Sequence, residues 1–234
     1  MKFLNWNLMW ASPTSARGRE LQKRIYKCNP DVAVFTEATL PFLKSLGGHL
    51  VTADGDYGYQ SASIRRKVAL WSRFPWTNPD NFGHAVLPGG RFAAATLELE
   101  SGSLRLMGLA ICWSHAHVAT GRKDRTAWQD HMTYLEGLEK ILDGASENLV
   151  ISGDFNQRIP RKRQPIAAAE KLASILAPFN CITEGLIPPI NSQTIDHIAT
   201  TRDLVVEDVR SISNHQGDSR LTDHFGVECH LASR

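Results

Sequence analysis

Asp154 and Asn156 close the stretch from Asn148 to Arg158, where a short apolar run ends in Gly and is followed by a carboxylate and then an amide. A buried strand that hands polar groups to a loop has this form. Extended backbone sends alternate residues to the same side, so carboxylate and amide can face one small target, a metal ion or a phosphate oxygen. Asn adds donor and acceptor capacity without a second charge. The same residues also suit an Asx turn at a strand end, because Gly, Asp and Asn are ordinary turn formers.

Similar polar groups stand beside other apolar runs. Asn5 and Asn7 alternate at the end of an amino-terminal segment, and Glu37 directly follows the run from Val32. His115 and His117 follow a run ending at Trp113; His115, nearer the strand end, is the better candidate to contact a substrate, and His117 reads as surface. Arg158, Arg161, Lys162 and Arg163 crowd a short loop after Asn156, where they suit solvation or a phosphate chain. Asp196 sits inward in a strand candidate, and the Asp223–His224 pair precedes the last one.

These groups need rigid supports. Strands are expected over Lys2 to Trp6, Asp31 to Glu37, Val68 to Ser72, Phe92 to Leu99, Leu104 to Trp113, Thr194 to Ala199 and after Asp223. The pair around the link Glu100 to Ser103 reads as a hairpin. Helical spacing marks Leu21, Ile25 and Cys28, then Trp128, Met132, Leu135, Leu138 and Leu142, and a third helix spans Ala167 to Leu176. Trp76 to Gly90, rich in Asn, Pro and Gly, reads as loop, and Arg65 to Lys67 as wetted surface.

With 234 residues, 42% of them apolar and 21% charged, the chain suits a single globular domain over residues 1–234. A net charge of +2 permits an anionic substrate without specifying one. Four scattered cysteines form no Cys-x-x-Cys pair, so neither a zinc ribbon nor a disulfide framework is expected. Asn5 and Asn7 interrupt any apolar leader, and no run of about 20 apolar residues could span a bilayer. The expectation is a soluble cytoplasmic protein with no membrane anchor and no evident protein partner.

Repeated placement of oxygen ligands at strand ends suggests that several ends converge on one cleft. Glu, Asp and Asn suit Mg²⁺ or Mn²⁺. In chain order, the motifs around Asn5–Asn7, Glu37, Ser114–His115, Gly153–Asn156, Asp196–His197 and Thr222–His224 resemble the endonuclease/exonuclease/phosphatase superfamily, also called DNase-I-like. The resemblance implies an α/β (α+β) fold, a four-layer α/β/β/α sandwich of two mixed sheets with outer helices and a site at one sheet edge.

It also implies roles. Glu37 would be the principal metal carboxylate, with Asn7 and Asp223 close by. Asp154 and Asn156 would position or deprotonate the attacking water and hold the phosphate. His224 would contact the scissile phosphate, Asp196 would orient that imidazole, and His115 would be a second phosphate-facing group. Asn5, Arg158, Arg161, Lys162 and Arg163 are the candidate substrate contacts. Which of Asp154 and His224 is the base stays open. Met9 stands where abasic-site nucleases often carry an acid or polar group, which argues against a second metal there, and His115 replaces their common Tyr.

The expected activity is Mg²⁺-dependent phosphodiester hydrolysis, with nucleic acid as the leading substrate. A small phosphorylated metabolite or lipid head group is the alternative, and a non-catalytic binding module the reading from another class.

Overall fold

The strand Val32–Thr39 shows how the chain is layered: Val32 and Val34 join one apolar cluster, Ala33 and Phe35 another. Alternation with both faces buried requires cover on both sides. The computed structural model describes residues 1–60, 63–100, 102–145 and 147–233. In chain order the elements are β1 (Lys2–Asn7), α1 (Ala16–Cys28), β2 (Val32–Thr39), α2 (Leu40–Ser45), β3 (His49–Thr52), β4 (Arg65–Ser72), β5 (Trp76–Asp80), β6 (Phe92–Leu99) and β7 (Gly102–Ala110). There follow α3 (Gln129–Leu142), β8 (Leu149–Asp154), α4 (Ile166–Leu176), β9 (Asn180–Cys181), β10 (Asp196–Thr200), β11 (Leu204–Ile212), β12 (His215–Gln216), β13 (Ser219–Arg220) and β14 (Gly226–Ser233).

Two six-stranded sheets, ordered β11-β14-β1-β2-β4-β3 and β5-β6-β7-β8-β10-β9, carry the fold. Both are mixed: β1 runs parallel to β2 and β7 to β8, while the other pairings are antiparallel. Phe3, Val34, Leu70, Leu106, Val150 and Ile198 belong to the cluster between the sheets. Leu21 and Ile25 of α1 cover the outer face of the first sheet with Leu4, Trp6 and Phe35, and Leu135 and Leu138 of α3 with Leu172 of α4 cover the second. The result is the four-layer α/β/β/α sandwich.

Local chemistry sets the helix ends. Ser15 Oγ accepts the Gly18 N–H at the start of α1, and Asn29 ends it in the left-handed conformation just before Pro30. Trp128, expected within the third-quarter helix, instead stands at its cap with φ of 68°. The expected loop from Trp76 contains edge strand β5, whose polar residues pair only with β6. Arg65 to Lys67 are not a wetted surface either, since they form the half-buried start of β4. Among the described residues no helix is long and apolar enough to cross a membrane.

Sheet register brings the polar strand ends together. Asn7 pairs with Thr36 across the parallel β1–β2 pair, so the end of β1 lies level with Glu37, which sits within β2. Asp154 ends β8 and Asp196 begins the antiparallel β10, and the two are direct partners. Gly153, at φ of 139°, is required here: a Cβ would lie 2.0 Å from the Leu109 carbonyl oxygen of β7.

Candidate active site

A cleft of about 290 Å³ opens where the ends of both sheets meet, lined by Asn7, Glu37, Lys67, Arg91, Trp113, Asp154, Asn156, Asp223 and His224 among others. Asp154 reaches it from the end of β8, Asn156 from the loop that follows, and Asp223 and His224 from the turn before β14. That turn is fastened to β1: Thr222 Oγ1 donates to the Asn7 carbonyl at 2.8 Å and Trp6 Nε1 to the His224 carbonyl at 3.0 Å. Two ends of the chain far apart in sequence thus share one rim.

At its heart, Asp154, Asp196 and His224 present ligand atoms within 4.8 Å of one another. His224 Nδ1 lies 2.5 Å from Asp196 Oδ2, and Asp196 is 1% exposed. Burial by itself would hold the imidazole low, but the Asp196 charge and hydrogen bond, with Asp154 and Asp223 behind them, raise it to about 10. Asp154 moves up from the ordinary carboxylate range, first because it is buried and then because Asp196 and Glu37 are like charges; His224 opposes the shift. His224 thus stands between two buried carboxylates, hydrogen-bonded to Asp196 and within 4.8 Å of Asp154.

Asp154 satisfies both readings of its motif. Its Oδ1 accepts the Asn156 N–H at 2.9 Å, an Asx turn, while the carboxylate remains part of the cluster. Asn156 adopts φ of 53°, a strained conformation that Asn tolerates, and its Nδ2 donates to the Ile111 carbonyl at 2.8 Å. Asn7 Oδ1 accepts the Met9 N–H at 2.9 Å. Glu37, also left-handed at φ of 48°, places its Oε1 2.6 Å from Lys67 Nζ. Glu37, Asn7, Asp223 and Asp154 offer oxygen atoms only, and a donor set of that kind fits a hard divalent cation. Glu37 would then divide its carboxylate between the ion and Lys67.

Several expected contacts lie elsewhere. Asn5 is fully buried between the sheets, where its Nδ2 donates to the carbonyls of Gly153 and His197 at 3.2 Å each, so it ties one sheet to the other and does not face substrate. Replacing Asn5 by Ala should cost about 1–3 kcal/mol in denaturant unfolding with KM unchanged, because two carbonyls lose a buried donor; a changed KM at full stability would contradict this placement.

His115 is exposed and does not line the cleft. The turn that starts at Trp113, whose carbonyl accepts the Ala116 N–H, carries His115 outward, where it bonds Ser114 Oγ and packs on the Trp113 ring. His117, read as surface, is 1% exposed and paired with Asp130 at 2.6 Å.

Arg158, Arg161, Lys162 and Arg163 are exposed, but none lines the cleft: Arg158 and Arg161 border a separate 550 Å³ cavity against α4. Gln164 organises this loop, accepting the Lys162 and Arg163 N–H groups and donating to the Arg158 carbonyl.

Three cleft residues escaped the sequence reading. Lys67 becomes visible only through the β2–β4 register that sets it opposite Glu37. Trp113 ends the strand expected from Leu104, three residues beyond the end of β7 at Ala110. Arg91 is 2% exposed, and its Nε and Nη2 have no hydrogen-bond partner among the described residues. Its place immediately before the apolar run of β6 is the available signal, a charged group adjoining a strand as Glu37 does, though at the start of the run and not after it.

Residues 4–224 match the model of a family described as the Endonuclease/Exonuclease/phosphatase family. No curated protein sequence matches the chain. Among solved structures, a 3'-5' exonuclease (NExo) from Neisseria meningitidis is similar at 18% identity and a TM-score of 0.70, over 99% of each chain. Humanized TDP2 from D. rerio follows at 13% identity, a TM-score of 0.69 and coverage of 100% of this chain and 99% of that one. Beta toxin from Staphylococcus aureus gives 16% identity and a TM-score of 0.64, over 98% and 99%.

Proposed function

The chain belongs to the Endonuclease/Exonuclease/phosphatase family, whose members hydrolyse phosphate esters with divalent metals, and from that premise we propose that it is a Mg²⁺-dependent phosphodiesterase acting on nucleic acid. The observation that carries the proposal is the convergence in one cleft of Asp154 and His224, the latter backed by buried Asp196, with the oxygen donors Glu37, Asn7 and Asp223.

Glu37 is the principal group to hold the ion, with Asn7 and Asp223 beside it; when bound, the ion neutralises phosphoryl charge and eases deprotonation of water. His224, charged at neutral pH, is unable to accept a proton and instead binds the scissile phosphate. Asp154 is then the base: its raised proton affinity brings it nearer the pH at which it must take a proton from the attacking water. Asn156 orients that water or a phosphate oxygen. Arg91, with buried donors seeking an anion, supplies a further counter-charge.

The test is a hydrolysis panel of single-stranded and duplex DNA, RNA, inositol phosphates and sphingomyelin, each with Mg²⁺ and with chelator, using Glu37→Gln to expose contamination. Cleavage of nucleic acid that needs Mg²⁺ and falls at least about 10²-fold in the variant is expected. Hydrolysis confined to inositol phosphates or sphingomyelin would move the substrate to the small-molecule alternative, and none at all would leave a binding module.

A further inference from the structure

Trp113 is the one large apolar surface offered to substrate among the residues that line the cleft. Its side chain is 44% exposed although the surrounding wall is mostly polar and charged. The ring is also held. His115 packs on it with centroids 5.6 Å apart and planes at 39°, and His115 Nδ1 is tied to Ser114 Oγ at 2.9 Å. An exposed indole braced from one side leaves its other face to a ligand.

The rest of the cleft says what kind. Lys67 and Arg91 line it with Trp113, and the unpartnered Arg91 donors call for an anion. The esterified group of a phosphate bound near these cations and His224 shares the cleft with Trp113. Flat π surface there suits a planar unsaturated ring, which every nucleobase provides and an inositol ring does not. A quaternary ammonium also favours an indole, but it is best served by a cage of several rings, whereas among the described residues Trp113 is the one Trp, Tyr or Phe lining the cleft and shares the space with Lys67, Arg91 and the His224 imidazolium.

We propose that Trp113 is the stacking platform for an unpaired nucleobase next to the scissile phosphate, so that the enzyme works on single-stranded or frayed nucleic acid. A base on the indole has left its own stack, which an intact duplex resists. The inference rests on the phosphodiesterase reading, and the experiment separates the two.

Binding is measured in chelator with a single-stranded oligonucleotide carrying 2-aminopurine, whose fluorescence falls on stacking. Hydrolysis is measured with Mg²⁺ on that strand, on a base-free deoxyribose-phosphate chain of equal length, and on sphingomyelin. Wild-type protein should quench the probe, and Trp113→Ala should abolish the quench and raise KM for the base-bearing strand about tenfold at nearly constant kcat. Trp113→Phe should restore most of both, while the base-free chain should be cut equally by all three. A quench without hydrolysis keeps the platform and removes the enzyme. Hydrolysis with an unchanged KM in Trp113→Ala removes the platform and keeps the enzyme. Equal losses on both chains, or Trp113-dependent preference for sphingomyelin, also overturn the proposal.

Discussion

Replacing Asp196 by Asn should reduce kcat at neutral pH by about 10²- to 10⁴-fold, the usual worth of a correctly protonated acid or base, and should move the alkaline limb of the pH profile downward. Asp196 Oδ2 is the partner of His224 Nδ1, and its charge is what lifts the imidazole to about 10 against the opposing effect of burial. With that anion gone, burial is opposed only by the more distant charges of Asp154 and Asp223, and the His224 pKa falls. If catalysis needs the imidazolium on the phosphate, activity disappears as pH rises through the His224 pKa. That limb therefore lies near 10 in the wild type and well below it in Asp196→Asn. The opposite assignment has the opposite sign: a His224 acting as base would become more available when its pKa falls, and the variant would gain activity near neutrality. A pH–rate series on both proteins decides between them. His224→Ala supplies the reference, since its profile should lack the limb altogether.

The parts of this site legible from the chain were those in which one strand announces its own end. Asp154, Glu37 and Asp196 each adjoin an apolar run, so local alternation is enough to place them, and the layered fold follows from the same alternation with amphipathic helices between. The remainder depends on geometry between strands. Lys67 meets Glu37 only because β4 is antiparallel to β2 in one particular register, and a one-residue slip would turn it to the other face. Asn5 shares its side of β1 with Asn7, yet it lies further back from the strand end and is covered by the second sheet. His115 lies outside the cleft lining for a related reason, because the chain turns at Trp113 and no longer follows the alternation of an extended strand. The basic loop shows that closeness in sequence is not closeness in space: Arg158 lies just beyond Asn156 in the chain but borders a different cavity.

Asp154→Asn should separate activity from stability. The substitution keeps the shape and an Oδ1 able to accept the Asn156 N–H, so the Asx turn and the position of Asn156 survive. What it removes is the charge and the capacity to take a proton. Hydrolysis should fall by about 10³-fold or more, at the upper part of the range for general acid–base catalysis, with substrate binding in chelator little changed. The same loss of charge should make the folded protein more stable at neutral pH. Asp154 has a folded pKa above the ordinary value of 3.8, chiefly through burial, so the folded state binds its proton more tightly than the unfolded chain does. For a carboxylate this means a stability deficit, complete above the folded pKa and vanishing as pH falls toward 3.8. Asn escapes that deficit, and each 1 kcal/mol relieved should raise Tm by about 2–4 °C in a chain of this size. Thermal unfolding in chelator at neutral pH and near pH 4 measures it: Tm should be higher in the variant at the first pH and should converge with the wild type at the second. A variant that is inactive and less stable at both pH values would mean that the carboxylate holds the loop in place, and the base would then have to be sought elsewhere in the cleft.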